Sequence, residues 1–374
     1  MGSRGRRDPK SRPAKGRGGA TDSKEQGGRP GRSAAVNAPG TAGSAAADSN
    51  LAYQELHPDD ILTAVESVGH RCDGRTLALN SYENRVYRVG IEEEAPLVAK
   101  FYRPGRWSDA AILEEHAFAR ELADGELPVV APLAHDGRTL HHRGPFRFAL
   151  YPSHGGRAPE LDDLDLLEQI GRLVARMHAL GERTRFVHRP TLELRSHGVE
   201  SRDYLLAAGF VPEDLHDAYS SLCIHLFERV RACYERAGTP RMLRLHGDFH
   251  PGNVLVLDEH VHIVDLDDTR MGPAVQDLWM FLSGGREEQT PQLEKLLGGY
   301  TEFRRFDARE LHLVEALRTL RIMHYAAWLA RRWEDPAFKI AFPWFASHRY
   351  WEDHVLALRE QAALMEEEPL AWIE

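Results

Sequence analysis

Asp248 and Asn253 lie five residues apart in the run Arg244-Leu245-His246-Gly247-Asp248-Phe249-His250-Pro251-Gly252-Asn253, and Asp265 closes a β-prone stretch soon afterwards. The spacing H-x-D-x-x-x-x-N on an irregular loop is that of the catalytic loop of phosphoryl-transferring kinases. There an aspartate accepts the proton of an attacking hydroxyl and holds that hydroxyl in line with phosphorus, and Asp248 is the residue placed to do so. An amide oxygen from Asn253 and a carboxylate from Asp265 suit Mg²⁺, a hard cation that takes oxygen ligands and keeps several waters. Asp265 is therefore expected both as a metal ligand and as a catalytic group bridging metal and phosphates. Taken singly, an Asp or Asn beside a turn usually makes turn hydrogen bonds. The joint pattern, with Gly247, Pro251 and Gly252 constraining the loop, points to phosphotransfer. His246 and His250 lack Cys or further His partners at metal spacing, so they read as loop-orienting groups rather than zinc ligands.

Upstream, Leu97-Val98-Ala99-Lys100-Phe101 reads as a buried strand carrying one lysine. In a V-A-I-K strand such a lysine contacts the α- and β-phosphates of ATP and pairs with a glutamate on the next helix. The expected partner is Glu115, which precedes the apolar face of Phe118 and Leu122, with Glu114 as second choice. The first hairpin has no G-x-G-x-x-G. Leu79-Asn80-Ser81-Tyr82-Glu83-Asn84-Arg85-Val86 stands in its place, so a polar loop must cover the phosphates, and Ser81 is the candidate to donate its hydroxyl and backbone N–H.

These groups need a scaffold. Pro58 to Gly69 has helical apolar spacing. Thr76 to Leu79, Val86 to Val89, Leu97 to Tyr102, Val129 to Leu133 and Phe146 to Tyr151 read as short strands, with one helix, Ala110 to Leu122, between the third and fourth. From Leu161 the pattern turns helical: Leu164 to Leu180, Ala218 to Ala237, Pro273 to Ser283, Gln292 to Phe303, Ala308 to Trp333 and Tyr350 to Met365. One island interrupts it, a hairpin of Val254 to Leu257 and Val261 to Leu266 that returns Asp265 towards Asp248. The expected architecture is α+β and bilobal, protein-kinase-like, with a small β-rich lobe at 51–152 and a larger helical lobe at 153–374.

Residues 1–50 contain no aromatic residue, Leu or Ile and carry ten Lys or Arg against four Asp or Glu, a net of +6. With −10 for the whole chain, the remainder carries −16. Such a segment cannot bury enough apolar surface to offset the entropy of ordering it, and it reads as a solvated, disordered tail. It has no apolar core typical of a secretory signal, and no apolar run in the chain is long enough to span a membrane. A cytoplasmic location follows as the expectation. Cys72, Cys223 and Cys233 have no metal-ligand spacing and read as small hydrophobes of a reduced compartment.

The loop 79–86, Lys100-Phe101-Tyr102-Arg103-Pro104, Leu245-His246-Gly247-Asp248, Val264-Asp265-Leu266-Asp267-Asp268 and Gly272-Pro273-Ala274-Val275-Gln276-Asp277-Leu278-Trp279 together resemble the bacterial stress response kinase A family. These are serine/threonine protein kinases of the aminoglycoside-phosphotransferase-like and choline-kinase-like superfamily. The resemblance runs from about Tyr53 to Trp344. It implies Asp248 as proton acceptor, Asn253 and Asp265 as Mg²⁺ ligands, Ser81 as an ATP contact and Asp277 as the brace of the catalytic loop. The implied partners are ATP and a protein bearing Ser or Thr, the chain itself included, acting as a monomer without membrane contact. Nucleic acid enters only as a weak partner of the basic tail. A small-molecule phosphotransferase of aminoglycoside-, choline- or homoserine-kinase type is the alternative, because the chemistry at phosphorus is the same. A nucleotide-binding adaptor without catalysis would need a broken catalytic residue, and none is broken. The cluster Trp328, Arg331, Arg332, Trp333, Phe342, Pro343, Trp344 and Phe345 could floor a substrate site or simply pack a core.

Overall fold

The computed structural model describes Tyr53 and residues 56–372; the expected tail at 1–50 lies outside the described residues. The chain opens with α1 (Pro58–Glu66), which begins on a proline and carries Asp59 and Asp60 in its first turn, where negative charge suits the helix dipole. Five strands follow: β1 (Cys72–Ala78), β2 (Arg85–Ile91), β3 (Leu97–Phe101), β4 (His141–Arg143) and β5 (Phe146–Pro152), with α2 (Asp109–Asp124) between β3 and β4. They form one antiparallel sheet in the order β1-β2-β3-β5-β4.

Alternation along β3 separates structure from chemistry. Leu97, Ala99 and Phe101 pack with Phe148, Leu150 and the Ile61 and Val65 of α1 in one buried cluster. Side chains alternate faces along a strand, so Lys100 points the other way, opposite Val86 on β2 and Ala149 on β5.

The helical lobe comprises α3 (Leu164–Gly181), α4 (Glu200–Ala207), α5 (Glu213–Ala237), α6 (Arg286–Thr301), α7 (Val314–Arg331), α8 (Pro336–Ala341) and α9 (His348–Leu364). Two small antiparallel pairs sit inside it: β6 (Leu243–Leu245) with β9 (Arg270–Gly272), and β7 (Val254–Leu257) with β8 (His260–Ile263). α3 and α6 meet backbone to backbone. A Cβ added at Gly171 would lie 2.0 Å from the Leu296 carbonyl, so only glycine permits the approach. Among the described residues no helix is long and apolar enough to cross a membrane.

The α+β bilobal expectation holds, with local corrections. Residues 129–133 form no strand, only a bridge from Val129 to Ile263; Pro128 before the run and Pro132 within it cannot donate to a ladder. The fifth strand is instead the polar edge β4, which sequence alternation does not reveal. The stretch Pro273 to Ser283 is two short 3₁₀ turns, Ala274–Asp277 and Trp279–Phe281. Its buried polar side chains are committed to the neighbouring loop rather than arranged on one helix face.

Candidate active site

The loop after β6 is held from behind. Both oxygens of the fully buried Asp277 accept backbone N–H groups, His246 at 2.8 Å and Gly247 at 2.9 Å, which is the bracing role the sequence resemblance implied. Behind Asp277 stands His178, its Nε2 3.2 Å from the carboxylate and its Nδ1 2.9 Å from the Tyr300 hydroxyl. Gln276 Nε2 donates to the Gly247 carbonyl at 3.0 Å. Gly247 has φ +85°, and a Cβ there would fall 2.3 Å from the Asp268 carbonyl, so this position requires glycine. His246 donates from Nε2 to the Val264 carbonyl at 2.9 Å, tying the loop to the end of the β7–β8 hairpin. His250 Nδ1 accepts the Gly252 N–H at 3.0 Å. Both histidines thus orient the loop.

Asn253 spends its Nδ2 on the Asp248 carbonyl at 2.9 Å, which fixes the amide orientation and leaves Oδ1 as its available donor atom. Asp248 has two close neighbours: the Arg321 guanidinium of α7 pairs with Oδ1, and the His250 imidazole Nε2 lies 3.6 Å from Oδ2. Burial holds the His250 imidazole below its ordinary pKa, against the pull of Asp248.

At the other end of the site, Lys100 Nζ lies 2.9 Å from Asp265 Oδ1, 3.1 Å from Asp267 Oδ1 and 3.6 Å from Glu115 Oε1. Burial works against its charge, but Asp265, Asp267 and Glu115 outweigh burial and hold the ammonium well above the ordinary lysine pKa. Glu115 is the helix carboxylate facing Lys100. Glu114 is engaged elsewhere, accepting the backbone N–H groups of Val187, His188 and Arg189 at 2.7, 2.7 and 2.9 Å. Arg189 Nη2 lies 2.5 Å from Glu115 Oε2, and its Nη1 donates to the Asp267 carbonyl at 2.7 Å. Arg106 pairs with Asp267 and, at 2.9 Å, with Asp268. Asp265 itself sits in the left-handed region, φ 61° and ψ 64°, a conformation costly for a non-glycine residue and typical of functional positions.

Two cavities meet over this frame. One, of about 280 Å³, is lined by Leu79, Val86, Val98, Val130, Leu255 and Val264 together with Lys100, Glu115 and Asp265. The other, of about 450 Å³, contains Asp248, Arg321, Tyr325 and Trp328. Asn80, Ser81, Gly252, Asn253 and Asp265 line both. An apolar slot that suits a flat base is thus joined to an acceptor chamber at the residues expected to handle phosphate and metal. The donor set fits Mg²⁺ carried in on a nucleotide. Among the described residues no group of three or more His, Cys, Asp or Glu is arranged to hold a metal alone, and Mg²⁺ commonly takes one or two protein oxygens plus substrate phosphates and water.

Ser81, Lys100, Glu115, Asp248, Asn253 and Asp265 therefore all line these adjoining cavities. Sequence reasoning missed Asp267, Arg106, Arg189 and Arg321. Asp267 had a local signal, standing two residues after Asp265; the three arginines had none, since their partners lie far away in the chain.

Residues 75–314 match the signature of the phosphotransferase enzyme family. Stress response kinase A of Escherichia coli strain K12 is 45% identical over 323 residues, covering 86% of this chain and 98% of that protein. The chain belongs to the phosphotransferase enzyme family, among the stress response kinases. The serine/threonine protein kinase RdoA of Salmonella typhimurium is 42% identical over the same length and shares of the two chains. Among solved structures, an amicoumacin kinase in complex with AMP-PNP, Ca²⁺ and Ami superposes with a TM-score of 0.64 at 17% identity, covering 83% of this chain and 95% of that one. This phosphotransferase is accordingly an enzyme of the kinase type with the fold the sequence suggested.

Proposed function

We propose that this enzyme transfers the γ-phosphoryl group of Mg-ATP to serine or threonine hydroxyls of protein substrates. Its relatives named for stress response and for serine/threonine protein kinase activity are matched along 98% of their length. The observation that carries the chemistry is the meeting of two cavities at Ser81, Asn253 and Asp265, with Lys100 on one side and Asp248 on the other.

In this reading the base lies in the apolar slot and Lys100 turns from its carboxylates to the α- and β-phosphates. Ser81 contacts the phosphates from the loop above. Asn253 Oδ1 and the Asp265 carboxylate would hold Mg²⁺, which would supply neutralisation of phosphate charge. Asp248 takes the proton of the acceptor hydroxyl as its oxygen bonds to the γ-phosphorus; the bond from that phosphorus to the β–γ bridging oxygen breaks, and ADP leaves with the electron pair. An acceptor must displace Arg321 from Asp248 to reach this position.

Incubation with γ-labelled ATP and Mg²⁺ tests the proposal, using a generic protein substrate beside choline and aminoglycoside panels and Asp248→Ala as control. Label on protein Ser or Thr, absent with the variant, is the expected result. Label on a small molecule alone would overturn the protein-kinase reading in favour of the small-molecule one.

A further inference from the structure

The loop that replaces a glycine-rich turn, Asn80 to Asn84, is fastened to the opposite lobe. Glu83 accepts the Trp328 indole N–H at 2.5 Å and an Arg332 N–H at 2.8 Å, both donors lying at the C-terminal end of α7 or just beyond it. The neighbouring Tyr82 ring packs 4.8 Å from that of Phe342. Arg103, just after β3, ties down the same corner, donating to the Glu83 carbonyl at 2.9 Å and to the buried Asp335 at 3.0 Å. The Glu83 side chain is only 12% exposed, and Arg103 and Arg106 of its own lobe stand 3.4 and 3.6 Å from Oε1, but the shorter bonds from Trp328 and Arg332 are shielded from water and correspondingly strong.

This placement matters because the loop lines both cavities. It is held from both sides, by Arg103 just after β3 and by Trp328 and Arg332 of the helical lobe. We infer that Glu83 is a positioning residue: it latches the phosphate-covering loop shut across the cleft, and nucleotide leaves only when its contacts with Trp328 and Arg332 open. The inference rests on the reading of the apolar slot as the nucleotide site. It assigns a purpose to part of the aromatic and arginine cluster around Trp328, which serves the nucleotide loop as well as the acceptor chamber.

A latch differs from ordinary packing in its kinetic signature, since breaking it raises the population of the open state and speeds release. The test uses the full chain, Mg²⁺ and a fluorescent ADP analogue chased with unlabelled ADP in a stopped-flow instrument. Glu83→Ala is expected to release the analogue about tenfold faster or more, as loss of hydrogen bonds to a charged group implies. Trp328→Phe keeps an aromatic ring at the position while removing the N–H donor and the five-membered ring that carries it; it should speed release about threefold. The double variant should be no faster than Glu83→Ala alone, because the two changes remove one shared bond. Should Glu83→Ala fail to fold, Trp328→Phe and Glu83→Gln carry the test. Release within twofold of wild type in the folded variants overturns the latch, as do effects that simply add. A wild-type enzyme that bound no analogue at all would overturn the nucleotide reading instead.

Discussion

Lys100 and Asp248 carry opposite charges at the two ends of one site, and the protein holds them in opposite ways. Lys100 is buried and faces three carboxylates, two of which are also paired from behind, Asp267 with Arg106 and Glu115 with Arg189. Asp248 is partly exposed and is paired with Arg321, itself 42% exposed. In the proposed reading the Lys100 end, a closed electrostatic network, takes the nucleotide, and the more open Asp248 end takes the acceptor.

Substitutions at the two ends should therefore fail differently. Asp248→Asn is expected to lower turnover by roughly a hundred- to ten-thousand-fold, the range for loss of a positioned base. Nucleotide affinity measured by calorimetry and the melting temperature should stay near wild type. A variant that retained turnover would remove Asp248 from the mechanism.

Lys100→Met should act on stability as well as activity. It leaves Asp265, Asp267 and Glu115 facing one another without their common cation, and breaking a buried network of this kind costs on the order of 3 kcal/mol. The expected result is a lower melting temperature together with weakened nucleotide binding. Unchanged stability would mean that Arg106 and Arg189 suffice to hold the carboxylates, and the contrast with Asp248 would shrink.

Acid should lower stability without mutation. His178 behind Asp277 and His197 beside Arg270 are buried and His324 is half-buried, and desolvation depresses each pKa below the ordinary 6.5, that of His324 to about 3. Below about pH 6.5 the unfolded chain takes up protons that the folded chain excludes, so these groups contribute stability that is present above that pH and lost as pH falls. Melting temperature should fall between about pH 7.5 and 5.5. A melting temperature that held or rose over that interval would contradict the assignment.

The smallest effect is expected for Arg321→Ala. A half-exposed ion pair contributes less than about 1 kcal/mol, so stability should hardly move. The acceptor KM should shift by a few-fold while the ATP KM stays fixed, and a matching change in both would deny Arg321 a separate place on the acceptor side.

What the sequence made legible follows the same division. Asp248, Asn253 and Asp265 announce themselves because one loop and one short hairpin bring them together, and spacing along the chain then reports spacing in the fold. Lys100 is legible because a lone charge in an apolar strand must be accounted for. The partners of Lys100 are less so: Glu115 is reached by helix position, but Asp267 and Arg106 meet only through the turn that follows Asp265. Arg189, Arg321 and the Glu83 contacts are illegible, since Glu83 and Arg332 are 249 residues apart. Val129 to Leu133 misled because its β-prone side chains were weighed above Pro128 before the run and Pro132 within it, neither of which can donate to a ladder.

Neighbouring residues on α2 are bound in different directions. Glu114 takes three backbone N–H groups from residues 187–189, while Glu115 lies between Lys100 and Arg189. A helix bolted to the helical lobe within one turn is poorly suited to swinging outward, the movement by which many kinases are switched off. For inhibitor chemistry the consequence is practical. Compounds that gain potency by prying this helix away would have to strip several buried bonds first, whereas flat purine mimics filling the slot between Val86, Val98 and Leu255 meet a pocket already formed.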